Sequence, residues 1–539
     1  MTDRAAQRCA SPLRALLVGA ALLTACTTEP DPPELLWPAG WEPLPACEAA
    51  WAGGDALPDT VPAWGLLFMH AEGLQPTGEL LRMELSIRAI GGAPDLEFAG
   101  PVSLVASPSS AVEIVSVSLP SEGSVTVQYR VLSEGLVRLD ATVDDGRTGS
   151  TELFGYASNL PIWGLDIAPS DLDALLTALP DDRARVPAAL TLDGRTYEAS
   201  TRLHGGSSIG FEKKSWRIDL EPDADGAVEL PDGTDHLILR AEYADKTMLR
   251  NYLSFELLRS GTTVPASRIE PVHMRLNGEF YGLMMRAERV DGDWFRARGL
   301  FPDGQLYESD QPREFPPPGG NLTPLDSLED YRTVYQHHRG AVEYDDLIAL
   351  IEGVLHPAGS TRAAAVEDVI AIEDVIVYAA VQALIQNHDH LRKNFYLSRS
   401  PFDVTEERWR FIPWDLDLTW GHLWTEQGDI LDEQLFVGQP LDLGTAQDRT
   451  AWDHNGMLYA VLSEPVYRSA LDEAMLHLVD DVFTAEFVQG RIDNLMCRAM
   501  PELLADTRKR ANNEEYAGRV DELLEFLDSK RAQVLEQAQ

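Results

Sequence analysis

Asp389 stands five residues before Asn394, and Asp415 and Asp417 close the segment Pro413-Trp414-Asp415-Leu416-Asp417, with Asp415 twenty-one residues beyond Asn394. A carboxylate can accept the proton of an attacking hydroxyl, and an amide oxygen with further carboxylates offers the hard oxygen ligands that Mg²⁺ prefers. Phosphoryl transfer needs both, one at the nucleophile and the other between the phosphates of the donor. Residues 394–399 and 408–414 read as two strands, and a hairpin of this kind brings both strand ends to one rim.

A second window lies upstream. Gly205, Gly206, Ser207 and Ser208 separate two predicted strands, 196–203 and 215–220, and such residues can bend the backbone over phosphates while Lys213 or Lys214 neutralises them. The chain has only six lysines among its 44 basic residues, and Lys213, Lys214 and Lys393 all fall in these two windows. Glu256, on a helix predicted over 247–260, has two readings: it orients Lys214, or it belongs to a solvated helix face. Protein kinases use the same order of parts, a Gly-rich loop, a Lys, a helix Glu, then Asp, Asn and Asp around a hairpin. The competing chemistry is a metal-dependent hydrolase built from His388, Asp389, His390, Asp415, Asp417 and His422. A binding protein whose site is inactive is the third reading.

The elements that must position these residues follow from patterning. Arg4, Arg8 and Arg14, an apolar run over 15–23 and Leu23-Thr24-Ala25-Cys26 read as a signal peptide over 1–25 ending in a lipoprotein box, with Cys26 the lipidated residue. Residues 26–63 then form a Pro- and Glu-rich tether. Residues 64–156 alternate with period two in short segments broken by Gly, Pro and Asp-Gly, predicting an all-β immunoglobulin-like sandwich that serves as spacer or partner-binding surface. Residues 161–539 mix helices and strands: Asn277-Gly278 marks a type I′ hairpin, 366–386 an apolar helix, and the tail from Pro465 is helical. Cys47 and Cys497 remain for a disulfide once Cys26 is modified. With 87 acidic residues and a formal net charge of −43, and no basic run along the sequence, nucleic acid is excluded as a partner.

Taken together, Arg202-x-x-Gly205-x-Ser207-Ser208 with Lys213-Lys214-Ser215, Asp245-Lys246 before Leu249-Arg250-Asn251-Tyr252, Leu276-Asn277-Gly278 with Tyr281-Gly282-Leu283 and Glu288, Asn387-His388-Asp389 with Lys393-Asn394-Phe395-Tyr396, and Pro413-Trp414-Asp415-Leu416-Asp417 with Gly421 resemble the spore coat protein H (CotH) kinase family. The resemblance runs from about residue 161 to the C-terminus. It implies an α+β, atypical protein-kinase-like two-lobe fold behind the β-sandwich, and transfer of phosphate from ATP, with Mg²⁺ or Mn²⁺, to a protein substrate. It further implies Asp389 as the catalytic residue, Asn394 and Asp415 as metal ligands, Asp417 as a further ligand or a turn cap, and Lys214 with the 205–208 loop on phosphate. Gly206 departs from the family, which carries Asn there. The expected setting is the bacterial cell envelope, with a lipid anchor as the only membrane contact.

Overall fold

The computed structural model describes residues 33–38, 65–69, 74–89, 93–177, 184–222, 230–310, 319–356, 366–387, 389–400, 407–422 and 455–537. The predicted signal peptide, Cys26, Cys47 and His388 lie outside the described residues.

Eight strands come first: β1 (Gly65–Met69), β2 (Leu74–Pro76), β3 (Leu81–Arg88), β4 (Val102–Ser107), β5 (Val112–Val117), β6 (Ser124–Val131), β7 (Gly135–Val143) and β8 (Thr148–Tyr156). They form two four-stranded sheets, ordered β1-β3-β6-β5 and β2-β8-β7-β4. Alternation places Leu85 and Ile87 of β3, Val125 and Val127 of β6, and Leu139 and Ala141 of β7 in one buried cluster shared by both sheets.

The next strands are β9 (Ile162–Ile167), β10 (Val186–Leu192), β11 (Arg195–His204), β12 (Ser215–Leu220), β13 (His236–Arg240), β14 (Ile269–Leu276) and β15 (Glu279–Ala287), with helix α1 (Pro169–Thr177) after β9 and α2 (Arg250–Gly261) after β13. They close into a barrel in the order β10-β11-β12-β13-β15-β14-β9. Closure is not legible in the sequence, because β9 carries Gly164, β10 carries Pro187 and β13 is a short run without alternation. The β14–β15 turn is as expected, with Asn277 at φ 51° and Gly278 at φ 78°. Asn277 Oδ1 also accepts from the Ile167 amide at 2.7 Å, fastening the turn to β9.

Then follow α3 (Gly292–Ala297), β16 (Gln305–Ser309), α4 (Leu328–Val334), β17 (Tyr335–Arg339), α5 (Asp345–Ile348), α6 (Val366–Val369), α7 (Ile372–Leu384), β18 (Phe395–Arg399), β19 (Arg410–Pro413), α8 (Gly456–Leu462), α9 (Pro465–Asp481), α10 (Ala485–Ala505) and α11 (Asn513–Gln537). Strands β17-β16-β18-β19 make the last sheet, and the largest core joins it to α2 and α7 to α11. The helix predicted over 366–386 is two helices. Trp409 takes the backbone between them, its amide donating to Val369 O at 2.7 Å and its carbonyl accepting from Ala371 N at 3.0 Å.

The first β unit is docked rather than free. Phe280 of β15 and Ala505 of α10 belong to its core, Phe280 N donates to Leu80 O at 3.1 Å, and Gln128 Nε2 donates to Glu279 Oε1 at 2.9 Å. Beside this seam His273 is fully buried between Glu79, 3.6 Å away, and Glu502, 3.4 Å away. Burial opposes charge on the ring, but Glu502 and Glu79 outweigh it and hold the His273 pKa above its usual 6.5. Its contribution to stability is therefore complete below pH 6.5 and lost as pH rises through the raised value. Urea unfolding should show lower stability at pH 8.5 than at pH 6, and this difference should shrink in His273→Gln. A profile unchanged by that substitution would remove His273 as its cause.

At the other end, residues 33–38 lie on the helical part: Leu35 and Trp37 pack against the main core, and the Trp37 ring sits 4.1 Å from His477 of α9. Cys497 of α10 is disulfide-bonded, to a partner outside the described residues. No helix among the described residues is long and apolar enough to cross a membrane.

Candidate active site

Helix α7 ends at Leu384, and the chain turns through 386–394 before entering β18. Asn387 Oδ1 accepts from the Asp389 amide at 2.9 Å, which sets the direction of the Asp389 side chain. Its Oδ2 accepts from Lys393 Nζ at 2.8 Å and Asn394 Nδ2 at 3.0 Å. With its nitrogen so engaged, Asn394 keeps its amide oxygen as the acceptor. Asn394 N donates to Ser309 O at 3.2 Å, and Asn394 O accepts from Trp414 N at 3.0 Å, so β16 and β19 grip the residue from both sides. Asn394 and Asp415 both hold left-handed backbone, φ 64° and 52°, a conformation that Asn and Asp tolerate better than most residues.

Asp415 and Asp417 follow β19 directly. Arg240, the last residue of β13, reaches them with one nitrogen, 2.6 Å from Asp415 Oδ1 and 3.4 Å from Asp417 Oδ2, while its Nε lies 2.8 Å from Glu242 Oε1. Asn251 of α2 ties the two sides together: its Nδ2 donates to Glu242 at 3.0 Å and its Oδ1 accepts from Leu416 N at 3.0 Å. Burial and the neighbouring Asp415 hold the Asp417 carboxyl well above the usual range. Burial acts the same way on Asp415, but Arg240 and Lys393 outweigh it and keep its pKa low. Asp389 is raised by burial, with Lys393 opposing and Asp415 adding to the rise. His204, at the end of β11, is neutral: burial first, then Arg240 and Arg202, push it down to about 3.

The upstream window is placed differently from expectation. Gly205 has φ 108°, and a Cβ there would stand 1.9 Å from Ser208 Oγ, so the bend requires glycine; Gly206 has open space around it. Ser207 starts the short 3₁₀ turn Ser207–Gly210 that carries Ser208. Lys214 Nζ donates to the carbonyls of Ile209 and Phe211, bracing this turn from within rather than projecting from it. Lys213 is buried against Asp506. Glu256 does not meet Lys214: it pairs with Arg259 at 2.7 Å and Arg491 at 3.1 Å on the far side of α2. The cation at the carboxylates is Arg240. Sequence reasoning missed it together with Glu242, and quoted Asn251 within a motif without assigning it a role, although an Arg ending a buried strand was the available signal.

Of the histidines in the hydrolase reading, His390 and His422 are described, and neither joins the carboxylates in a metal cluster. His390 is buried with its ring edge-on to Tyr378, and His422 Nε2 meets Ala244 O at 3.2 Å. Among the described residues no three His, Cys, Asp or Glu side chains form a ready metal cluster. The donor chemistry at the rim nevertheless suits a hard divalent cation: Asn394, Asp415 and Asp417 offer only oxygen, and the buried Glu242 Oε2 has no hydrogen-bond partner among the described residues.

Comparison with known proteins adds the lineage. Inner spore coat protein H of Bacillus subtilis (strain 168) is 24% identical over 387 residues, covering 69% of this chain and 96% of that protein. Among solved structures, the HipA, HipB and operator DNA complex of Shewanella oneidensis MR-1 is 11% identical over 72% of this chain and 75% of that one, with a TM-score of 0.27. Domains 5-6 of the S-layer protein SbsC are 11% identical over 44% of this chain and 86% of that one, with a TM-score of 0.17. The sequence model described as CotH kinase protein matches residues 201–535, more than half of the chain, from the strand before the Gly205 loop through the carboxylate rim to α11. The chain belongs to the CotH kinase protein family.

Proposed function

We propose that this protein transfers a phosphoryl group from ATP to a hydroxyl of a protein substrate. One observation carries the reading: Asp389, held by Lys393 and Asn394, shares a rim with Asp415 and Asp417, and the barrel supplies Arg240 from the other side. Asp389 orients the acceptor hydroxyl and takes its proton at Oδ1, the oxygen left by Lys393 and Asn394. Lys393 neutralises charge developing at the transferred group, and Arg240 holds the two lobes of the cleft in register. Asn394, Asp415 and Asp417 would hold Mg²⁺ or Mn²⁺, which supplies charge neutralisation on the phosphates when bound. In this reading residues 161–539 are an atypical kinase-like two-lobe unit and residues 64–156 an immunoglobulin-like module. The full-length protein given labelled ATP with Mg²⁺ or Mn²⁺ and a mixture of envelope proteins should label itself or an acceptor, and the absence of label under both metals removes the reading.

A second reading has its own support. Arg240 already neutralises Asp415 and Asp417, as expected of a site kept for structure. A binding protein of this kind shows neither transfer nor stabilisation by ATP with Mg²⁺, whereas the kinase shows both.

The envelope location rests on Cys26 as lipid attachment site, with membrane contact through the lipid alone. Cys26→Ser should move the protein from the membrane fraction to the soluble one. Retention of the variant on membranes at high salt excludes lipid as the anchor.

A further inference from the structure

The hydrogen bonds around Arg240 fall unevenly on one carboxylate. The Glu242 side chain is wholly buried, and both of its donors sit on one oxygen: Oε1 accepts from Arg240 Nε at 2.8 Å and from Asn251 Nδ2 at 3.0 Å. Oε2 is buried with no hydrogen-bond partner among the described residues. A bare charged acceptor in the interior is costly. Glu242 also holds left-handed backbone, φ 47°, a conformation that non-glycine residues adopt mainly where the surroundings impose it. An acceptor kept at this cost has a donor in another state of the site.

That donor is already adjacent. On a guanidinium, Nε–H and one Nη2–H lie along the same edge of a rigid fork, so a single carboxylate can accept from both in parallel. Here the edge is divided, with Nε on Glu242 and Nη2 on Asp415 at 2.6 Å and Asp417 at 3.4 Å. A turn of the fork that keeps Nε on Oε1 hands the Nη2 hydrogen to Oε2. Exposure falls in the matching direction: 33% and 17% for the Asp415 and Asp417 side chains, 10% for Arg240 and none for Glu242. A cation therefore reaches the outer carboxylates first, and its repulsion drives the guanidinium inward, toward the buried one. Asn251 spans Glu242 and Leu416 N, so the barrel stays joined to the segment after β19 when Arg240 lets go.

We propose that Arg240 is an exchangeable counter-ion. It neutralises Asp415 and Asp417 in the absence of a divalent cation, and moves to a two-point pair with Glu242 when the cation binds. This rests on the reading of Asp415 and Asp417 as cation ligands, and it makes Glu242 a positioning residue that acts through Arg240.

Mn²⁺ alone, without nucleotide, is titrated into the full-length protein, and the free ion is followed by electron paramagnetic resonance. Arg240→Met, which removes the competing charge, should bind Mn²⁺ at least tenfold more tightly than wild type, and Glu242→Gln at least tenfold more weakly. The double variant should bind within threefold of Arg240→Met, because no guanidinium is left to receive. A Glu242 that acts only by its charge, or as a direct ligand, lowers affinity by the same factor in both backgrounds, and that result overturns the exchange. So does an Arg240→Met affinity equal to or below that of wild type. The wild-type protein supplies a check free of any folding defect: in crystals with Mn²⁺ bound, Arg240 Nη2 should lie within hydrogen-bond distance of Glu242 Oε2 and away from Asp415. A guanidinium still on Asp415 beside the ion overturns the exchange and leaves the cation site in place. Mn²⁺ binding to none of the four proteins removes the cation site, and the exchange with it.

Discussion

Asp389→Asn should abolish phosphoryl transfer, by a factor of about 10² or more, and leave ATP affinity within a few-fold of wild type. The amide still accepts from Lys393 and Asn394, so the turn keeps its shape, but it cannot take a proton from the acceptor. Asp415→Asn should differ in kind. It removes a charge that Arg240 and Lys393 face and a ligand for the divalent ion, so transfer and metal-dependent nucleotide binding fall together. Calorimetry with ATP and Mg²⁺, alongside a transfer assay and circular dichroism, separates the two. Full transfer by the Asp389 variant, or unchanged Mg-ATP affinity in the Asp415 variant, would falsify the assignment of roles.

The largest loss of stability should come from a residue that does no chemistry. Lys213 and Asp506 are wholly buried, their ion pair 2.6 Å long; Lys213 Nζ also donates to Leu283 O, and Asp506 Oδ2 accepts from Leu283 N at 3.1 Å. Removing one partner leaves the other as an uncompensated buried charge, at a cost of about 3–5 kcal/mol. Lys213→Met and Asp506→Leu should each lower the unfolding free energy by that order. The double variant should lose clearly less than the sum, since no charge is then stranded. Additive losses in denaturant unfolding would show that the pair is not coupled.

These two lysines show how far the sequence could be read. Rarity drew attention to Lys213 and Lys214, and both are indeed committed, yet to Asp506 and to the loop's own carbonyls rather than outward. Spacing was a better guide at Asp389, Asn394, Asp415 and Asp417, because a five-residue turn and a hairpin leave a chain few ways to arrange them. Arg240 was out of reach: the contact joins positions 175 residues apart, and only closure of the barrel brings β13 to the end of β19. Glu256 failed for a related reason. Helical spacing gives a face but not its neighbour, and the neighbour is Arg491 of α10. In the first β unit the period-two pattern anticipates short alternating strands such as β3, which buries Leu81, Met83, Leu85 and Ile87, and nothing in that pattern could report that Phe280 would complete its core.

The β14–β15 hairpin is where the chain's distant parts meet. Arg275 reaches back 196 residues to Glu79, His273 reaches forward 229 to Glu502, and Leu283 receives Asp506 from 223 residues away. Contacts that close such long loops form late, because the entropy of closure is met before the contact gives anything back. The barrel therefore cannot seal its last buried charges while the C-terminal helices are still being made. Until α10 and the Asp506 that follows it emerge from the ribosome, Lys213 lacks the counter-ion it has in the fold, and Phe280 lacks Ala505 from the cluster it shares with the first β unit. A chain built this way stays unfinished through most of its synthesis, and its last buried charges are sealed only once the C-terminal helices are made.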